Sequence, residues 1–165
     1  MPGSISCLVQ PQLYRIAHLS QAGNCIKVNS NPGSKTIRLC SMKQQACILV
    51  VDDAPDVREV HERFLRGSGM QTLQAANGIQ ALDVARRVGP DVIVTDVDMP
   101  IMDGLSLCRR LRADAATRHV RVVVVTGDAS EQAQAAFAAG CDAVLAKPCS
   151  RTILVATIRQ LLARR

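Results

Sequence analysis

Five short apolar runs punctuate this chain from Cys47 onward, and helical periods fill the spaces between them. The runs are Cys47-Ile48-Leu49-Val50-Val51, a weaker one at 70–75, Asp91-Val92-Ile93-Val94-Thr95, Val122-Val123-Val124-Val125 and Ala143-Val144-Leu145-Ala146. Each is too short for a helix and too continuously apolar for a strand with one wet face. Such runs fit strands buried on both sides, as in parallel sheets. The intervening segments supply the covering helices. Residues 55–67 place Val57, Val60, Phe64 and Leu65 on one face, and Ala81, Leu82 and Ala85 mark a second helix ending near Gly89-Pro90. A third carries Leu105, Leu107, Cys108 and Leu111, and a fourth is Ala-rich over 130–139. The last has Leu154, Val155, Ile158, Leu161 and Leu162 along one stripe. Strict alternation of strand and helix predicts an α/β fold, a doubly wound five-stranded parallel sheet with helices on both faces.

Composition narrows the interior and the surroundings. Only Tyr14, Phe64 and Phe137 are aromatic, so the core must be built from Val, Leu, Ile and Ala. No apolar run approaches the roughly 18 residues that a membrane-spanning helix needs. The seven cysteines are scattered and contain no C-x-x-C pair, which argues against a disulfide framework or zinc site and for a reducing, cytoplasmic setting. Residues 1–41 hold Arg15, Lys27, Lys35 and Arg38 and no acid, whereas the remainder is nearly balanced in charge. That leader is rich in Ser, Asn, Gln and Pro and has no sustained period. It has too few arginines for a transit peptide. Residues 1–45 are therefore expected to be a disordered or spurious extension of a domain at 46–165, with Met42 an alternative start. The basic leader lacks the companion motifs of a nucleic-acid binder, so neither direct DNA binding nor membrane association is expected.

In doubly wound sheets, sites form beyond the carboxyl ends of the strands. The polar residues obey that rule. Asp52 and Asp53 follow the first run, Asp96 ends the third, Thr126 ends the fourth, and Lys147 follows the fifth. Three carboxylates make a hard oxygen site of the kind that magnesium accepts. A carboxylate can also attack phosphorus to give an aspartyl phosphate, with an ammonium and a hydroxyl to receive the phosphoryl oxygens. Taken singly, Asp52 or Asp53 suits a helix N-cap before Pro55, Thr126 a strand-end hydroxyl and Lys147 a solvated charge. Their joint order and spacing favour one site.

Those residues carry a resemblance. Asp52-Asp53 after an apolar strand, Asp96 in TDVDMPIMDG, Thr126 in VVVVTGD and Lys147-Pro148 in LAKPCS look like the receiver domain of two-component response regulators, over roughly residues 46–164. The resemblance implies a flavodoxin-like strand order 2-1-3-4-5 and a phosphoryl group accepted by Asp96 from a histidine kinase or histidine phosphotransfer protein. It implies Mg2+ held by Asp53, Asp96 and the backbone carbonyl of Asp98, with Asp52 acting largely through water. Thr126 and Lys147 would receive the phosphoryl oxygens, and Lys147-Pro148 would be a cis peptide. The expected protein is a stand-alone phosphoacceptor switch rather than a conventional enzyme, one that acts on a downstream protein target or relays phosphate. A phosphate-independent interaction module is the alternative.

One position departs from the pattern: Val144 stands where many receivers carry Tyr or Phe, so an aromatic rotamer switch is not available. Asp103 reads as a helix cap, and Asp98 and Asp128 add negative charge near the site. His61-Glu62 faintly resembles a kinase phosphoacceptor box but reads as a helix-surface histidine. Arg109, Arg110, Arg112, Arg118 and Arg121 read as a solvated face. A haloacid-dehalogenase reading of Asp96-x-Asp98 fails on Pro100 and on the motif's place in the third strand. Deleting residues 1–41 should leave the melting temperature nearly unchanged in a thermal scan; a large drop would move the domain boundary toward the amino terminus.

Overall fold

The computed structural model describes residues 45–164. The elements, in order, are β1 (Cys47–Val51), α1 (Pro55–Gly67), β2 (Gln71–Ala75), α2 (Gly78–Val88), β3 (Val92–Asp96), α3 (Gly104–Ala113), β4 (Arg121–Thr126), α4 (Ala129–Ala138), β5 (Ala143–Ala146) and α5 (Arg151–Ala163). All pairings are parallel, and the sheet order is β2-β1-β3-β4-β5. The expected architecture is therefore present.

The two-residue period of each strand divides the interior into two cores. Leu49, Val51, Ile93, Val122 and Val124 face Ala81, Leu82 and Ala85 of α2, Leu107, Cys108 and Leu111 of α3 and Ala136 of α4. Their neighbours Ile48, Val50, Val92, Val94, Val123 and Val125 face Leu65 of α1 and Leu154, Val155, Ile158 and Leu161 of α5. Both sets are buried, which explains why the strands read as continuous apolar runs. Strand β2 read more weakly because it is an edge strand, with Gln71 and Gln74 exposed.

Two expectations for α1 are corrected. Val60, placed on the buried face, is 46% exposed. With Phe64 it lines an open groove of about 330 Å³ that runs to Arg151 at the start of α5. His61, expected on the surface, is half-buried. The inward stripe runs Val57, His61, Leu65 at four-residue steps, so the histidine takes the place assigned to Val60. Burial lowers its pKa, the Asp52 charge opposes that shift, and the Lys147 and Arg151 charges add to it.

The arginine cluster is also only partly solvated. Arg109, Arg110 and Arg118 are exposed, but Arg112 and Arg121 are half-buried. Arg112 donates through Nε to the Gly140 carbonyl at 2.8 Å, through Nη1 to the Val120 carbonyl at 2.8 Å and through Nη2 to Asp142 at 2.8 Å. It thereby ties α3 to the start of β4 and to the turn before β5. Asp142 in turn accepts the Val122 amide at 2.8 Å and meets Arg121 at 3.3 Å.

Helices α2 and α3 begin as their sequences suggest. Asn77 accepts the Gln80 amide at 3.0 Å, and Asp103 accepts the Ser106 amide at 2.7 Å. Asp103 is thus a cap, as expected. Helix α1 differs: its N-cap is Ala54, without a side-chain cap, and Pro55 opens the helix. Gly104 has a separate constraint. A Cβ there would lie 2.1 Å from the Asp96 carbonyl oxygen, and the Gly104 amide bonds to the Val97 carbonyl at 3.0 Å. Helix α3 therefore starts in backbone contact with the end of β3. Gly104→Ala should cost about 3 kcal/mol in urea unfolding, because backbone has to move. Gly67→Ala, with nothing within 4 Å of the added Cβ, should be neutral or slightly stabilising and serves as the control.

Candidate functional site

Parallel strands end together, so their last residues share one edge. Thr95 of β3 lies beside Val51 of β1, and Asp96 beside Val125 of β4. Asp52 and Asp53 therefore leave β1 next to Asp96, with Thr126 one residue beyond Asp96's partner. Thr126 in turn pairs with Ala146, which delivers Lys147. Carboxylate oxygens of Asp52, Asp53 and Asp96 all lie within 4.8 Å of one another. The Lys147 ammonium is 2.7 Å from Asp96 Oδ2 and 4.0 Å from Asp52 Oδ2. The Lys147–Pro148 peptide is cis, as expected.

Burial separates the acids. Asp52 and Asp96 are 5% and 8% exposed, whereas Asp53 and Asp98 are open to solvent. Asp96 Oδ1 accepts the Val97 amide at 2.7 Å, which fixes the carboxylate's orientation. Asp52 Oδ1 accepts the Ala54 amide at 2.9 Å. Burial raises the Asp52 pKa above the ordinary carboxylate value; the Ala54 amide and Lys147 oppose the rise, and the charges of Asp96 and Asp53 add to it. Three carboxylates against one ammonium leave a formal surplus of two negative charges. A hard divalent cation with oxygen ligands fits that surplus and that donor set.

Thr126 is fully buried. Its hydroxyl donates to Gln132 Oε1 at 2.5 Å and accepts the Asp128 amide at 3.2 Å. Asp128 is the N-cap of α4, where its carboxylate accepts the Glu131 amide at 3.1 Å. Asp98 lies on the β3–α3 loop. Three residues further on, Ile101 is 76% exposed and holds a left-handed backbone, with φ of 73°. Val144 is half-buried against the core under α2, α3 and α4.

Sequence reasoning missed Arg58 and Gln132. Arg58 donates through Nη1 to the Asp52 carbonyl at 2.6 Å and the Asp53 carbonyl at 3.0 Å, bracing the loop that carries both acids. No local period marks either residue, because each reaches its partner through a long polar side chain. The crowded charge has a measurable cost. Without added divalent cation, Asp52→Asn should raise stability at neutral pH by about 1 kcal/mol in urea unfolding, since it removes a buried like charge and keeps the Ala54 bond. The folded carboxyl holds its proton more tightly than the unfolded one. The gain should therefore shrink as the pH falls toward the ordinary carboxylate range, where the wild-type group is itself protonated.

Comparison with known proteins agrees with this geometry. A family model described as the response regulator receiver domain matches residues 48–159. The chain is 40% identical over 117 residues to the response regulator MprA of a Mycobacterium species (strain KMS), covering 71% of this chain and 50% of that protein. It is 37% identical over 126 residues to the response regulator Rre1 of Synechocystis, covering 74% and 54%. The chain thus spans about half the length of these curated relatives. Among solved structures, the chemotaxis response regulator CheY4 of Vibrio cholerae superposes with a TM-score of 0.67 at 30% identity, covering 71% of this chain and 98% of that one. The receiver domain of the sensor histidine kinase PA1611 from Pseudomonas aeruginosa, solved with a magnesium ion in its active-site cleft, gives a TM-score of 0.68 at 32% identity, covering 72% and 98%. The chain belongs to the response regulator receiver domain family of two-component systems.

Proposed function

We propose that this domain is a phosphorylation switch whose phosphoacceptor is Asp96. The observation that carries the reading is the Asp96 carboxylate, held by the Val97 amide, with Lys147 Nζ 2.7 Å away and Asp52 and Asp53 beside it. The donor is a phosphohistidine on a histidine kinase or phosphotransfer protein. The Asp96 carboxylate attacks phosphorus, the P–N bond breaks, and its electron pair returns to the imidazole nitrogen. Asp53, Asp96 and the Asp98 carbonyl would hold Mg2+, with Asp52 steadying it, and the ion would supply positive charge against the phosphoryl oxygens. Lys147 supplies the second positive charge, and the Thr126 hydroxyl supplies a hydrogen bond. The aspartyl phosphate carries a charge of about −1.5 to −2 in place of the carboxylate's single charge and brings three acceptor oxygens; these favour a different arrangement of the surrounding loops, and so change binding to a downstream protein or ready the phosphoryl group for relay.

Incubation with acetyl phosphate and magnesium, read by intact mass, should add one phosphoryl group to the wild type and none to Asp96→Asn. Asn keeps the shape and loses the nucleophile. Equal labelling of the variant would rule out Asp96 as the acceptor. A wild type that never labels, even from a kinase, would favour a phosphate-independent interaction module.

A further inference from the structure

The Thr126 hydroxyl has one proton, and Gln132 holds it. The Oγ1–Oε1 distance is 2.5 Å, and the hydroxyl's acceptor side is engaged by the Asp128 amide at 3.2 Å. Thr126 is fully buried, so its hydroxyl is shielded from bulk water while Gln132 is in place. Register sets Thr126 one residue past Val125, which lies opposite Asp96. Gln132 comes from a different element, one turn into α4, where its own amide bonds to the Asp128 carbonyl at 3.0 Å. One side-chain contact thus joins the end of β4 to α4.

We infer that Gln132 is a positioning residue that holds the Thr126 proton away from the phosphoryl site in the resting state and gives it up on phosphorylation. The inference rests on the phosphoacceptor reading of Asp96 and deepens it. A hydroxyl proton makes one strong bond at a time, so a phosphoryl oxygen on Asp96 competes directly with Gln132 Oε1 for it. The resting bond therefore weakens phosphoryl binding by the worth of one neutral hydrogen bond. Its release frees α4 from the β4 end and couples the chemistry to that helix. Val144 of β5 pairs with Val124 and offers neither a hydroxyl nor a ring, so the polar partner of Thr126 comes from α4.

Beryllofluoride with Mg2+, a phosphoryl mimic, tests this by titration calorimetry on the full chain. Gln132→Ala and Gln132→Met, the second retaining length without an acceptor, should each bind it about three- to tenfold more tightly than the wild type. In a Thr126→Ala background the same substitutions should have no effect, which a purely structural role for Gln132 would not produce. Unchanged or weaker binding in both variants, or equal changes with and without the Thr126 hydroxyl, would overturn the role of Gln132 while wild-type binding upheld the phosphoryl site. A wild type that binds no beryllofluoride would overturn the phosphoacceptor reading and this role together.

Discussion

Like charge gathered at one sheet edge is the constraint around which this structure is arranged. Asp52 and Asp96 are buried beside each other with Asp53 in reach, and Lys147 is the ammonium that meets them. Left alone, such a cluster would push its loops apart. The surroundings prevent that with backbone contacts. The Val97 amide holds Asp96, the Ala54 amide holds Asp52, and Arg58 grips the carbonyls behind Asp52 and Asp53. On the far side, Gly104 lets α3 abut the Asp96 carbonyl, and the Asp103 cap fixes where that helix begins. The acids are thus rigidly placed with more negative charge than Lys147 alone offsets, which is what a site built to receive positive charge requires.

Much of this was legible in the sequence because it follows from period and order. A strand buried on both faces has to be apolar at successive positions, and β1, β3 and β4 are. Parallel crossovers then force the strand ends to one edge, so Asp52, Asp53, Asp96, Thr126 and Lys147 could be assembled without coordinates. Asp103 was readable as a cap from the Asp-Gly step alone. What stayed hidden depends on direction and reach. Val60 and His61 differ by one residue, about 100° around α1, and the helical pattern did not fix which of them turns inward. Arg112, Arg58 and Gln132 act across elements through long side chains, and charge counting alone made Arg112 and Arg121 a solvated face.

The same physics sets where a change at the site would be felt. Helix α5 is anchored by Leu154, Val155, Ile158 and Leu161, whereas Ala136 is the single buried residue within α4. A methyl group contributes far less burial than four branched side chains. Phe137, the aromatic residue of α4, is 55% exposed and adds little anchorage. Helix α4 is therefore the helix with the least fully buried apolar side chain, and its N-cap is Asp128, two residues past Thr126. The polar tie from Gln132 to Thr126 acts on a helix that apolar burial holds only weakly. In a chain with Val144 at the place of the aromatic switch, the half-buried hydrogen bond between a strand end and a lightly anchored helix would, on the role inferred for Gln132, supply a two-state element of its own. Its position is set by which acceptor holds a single proton.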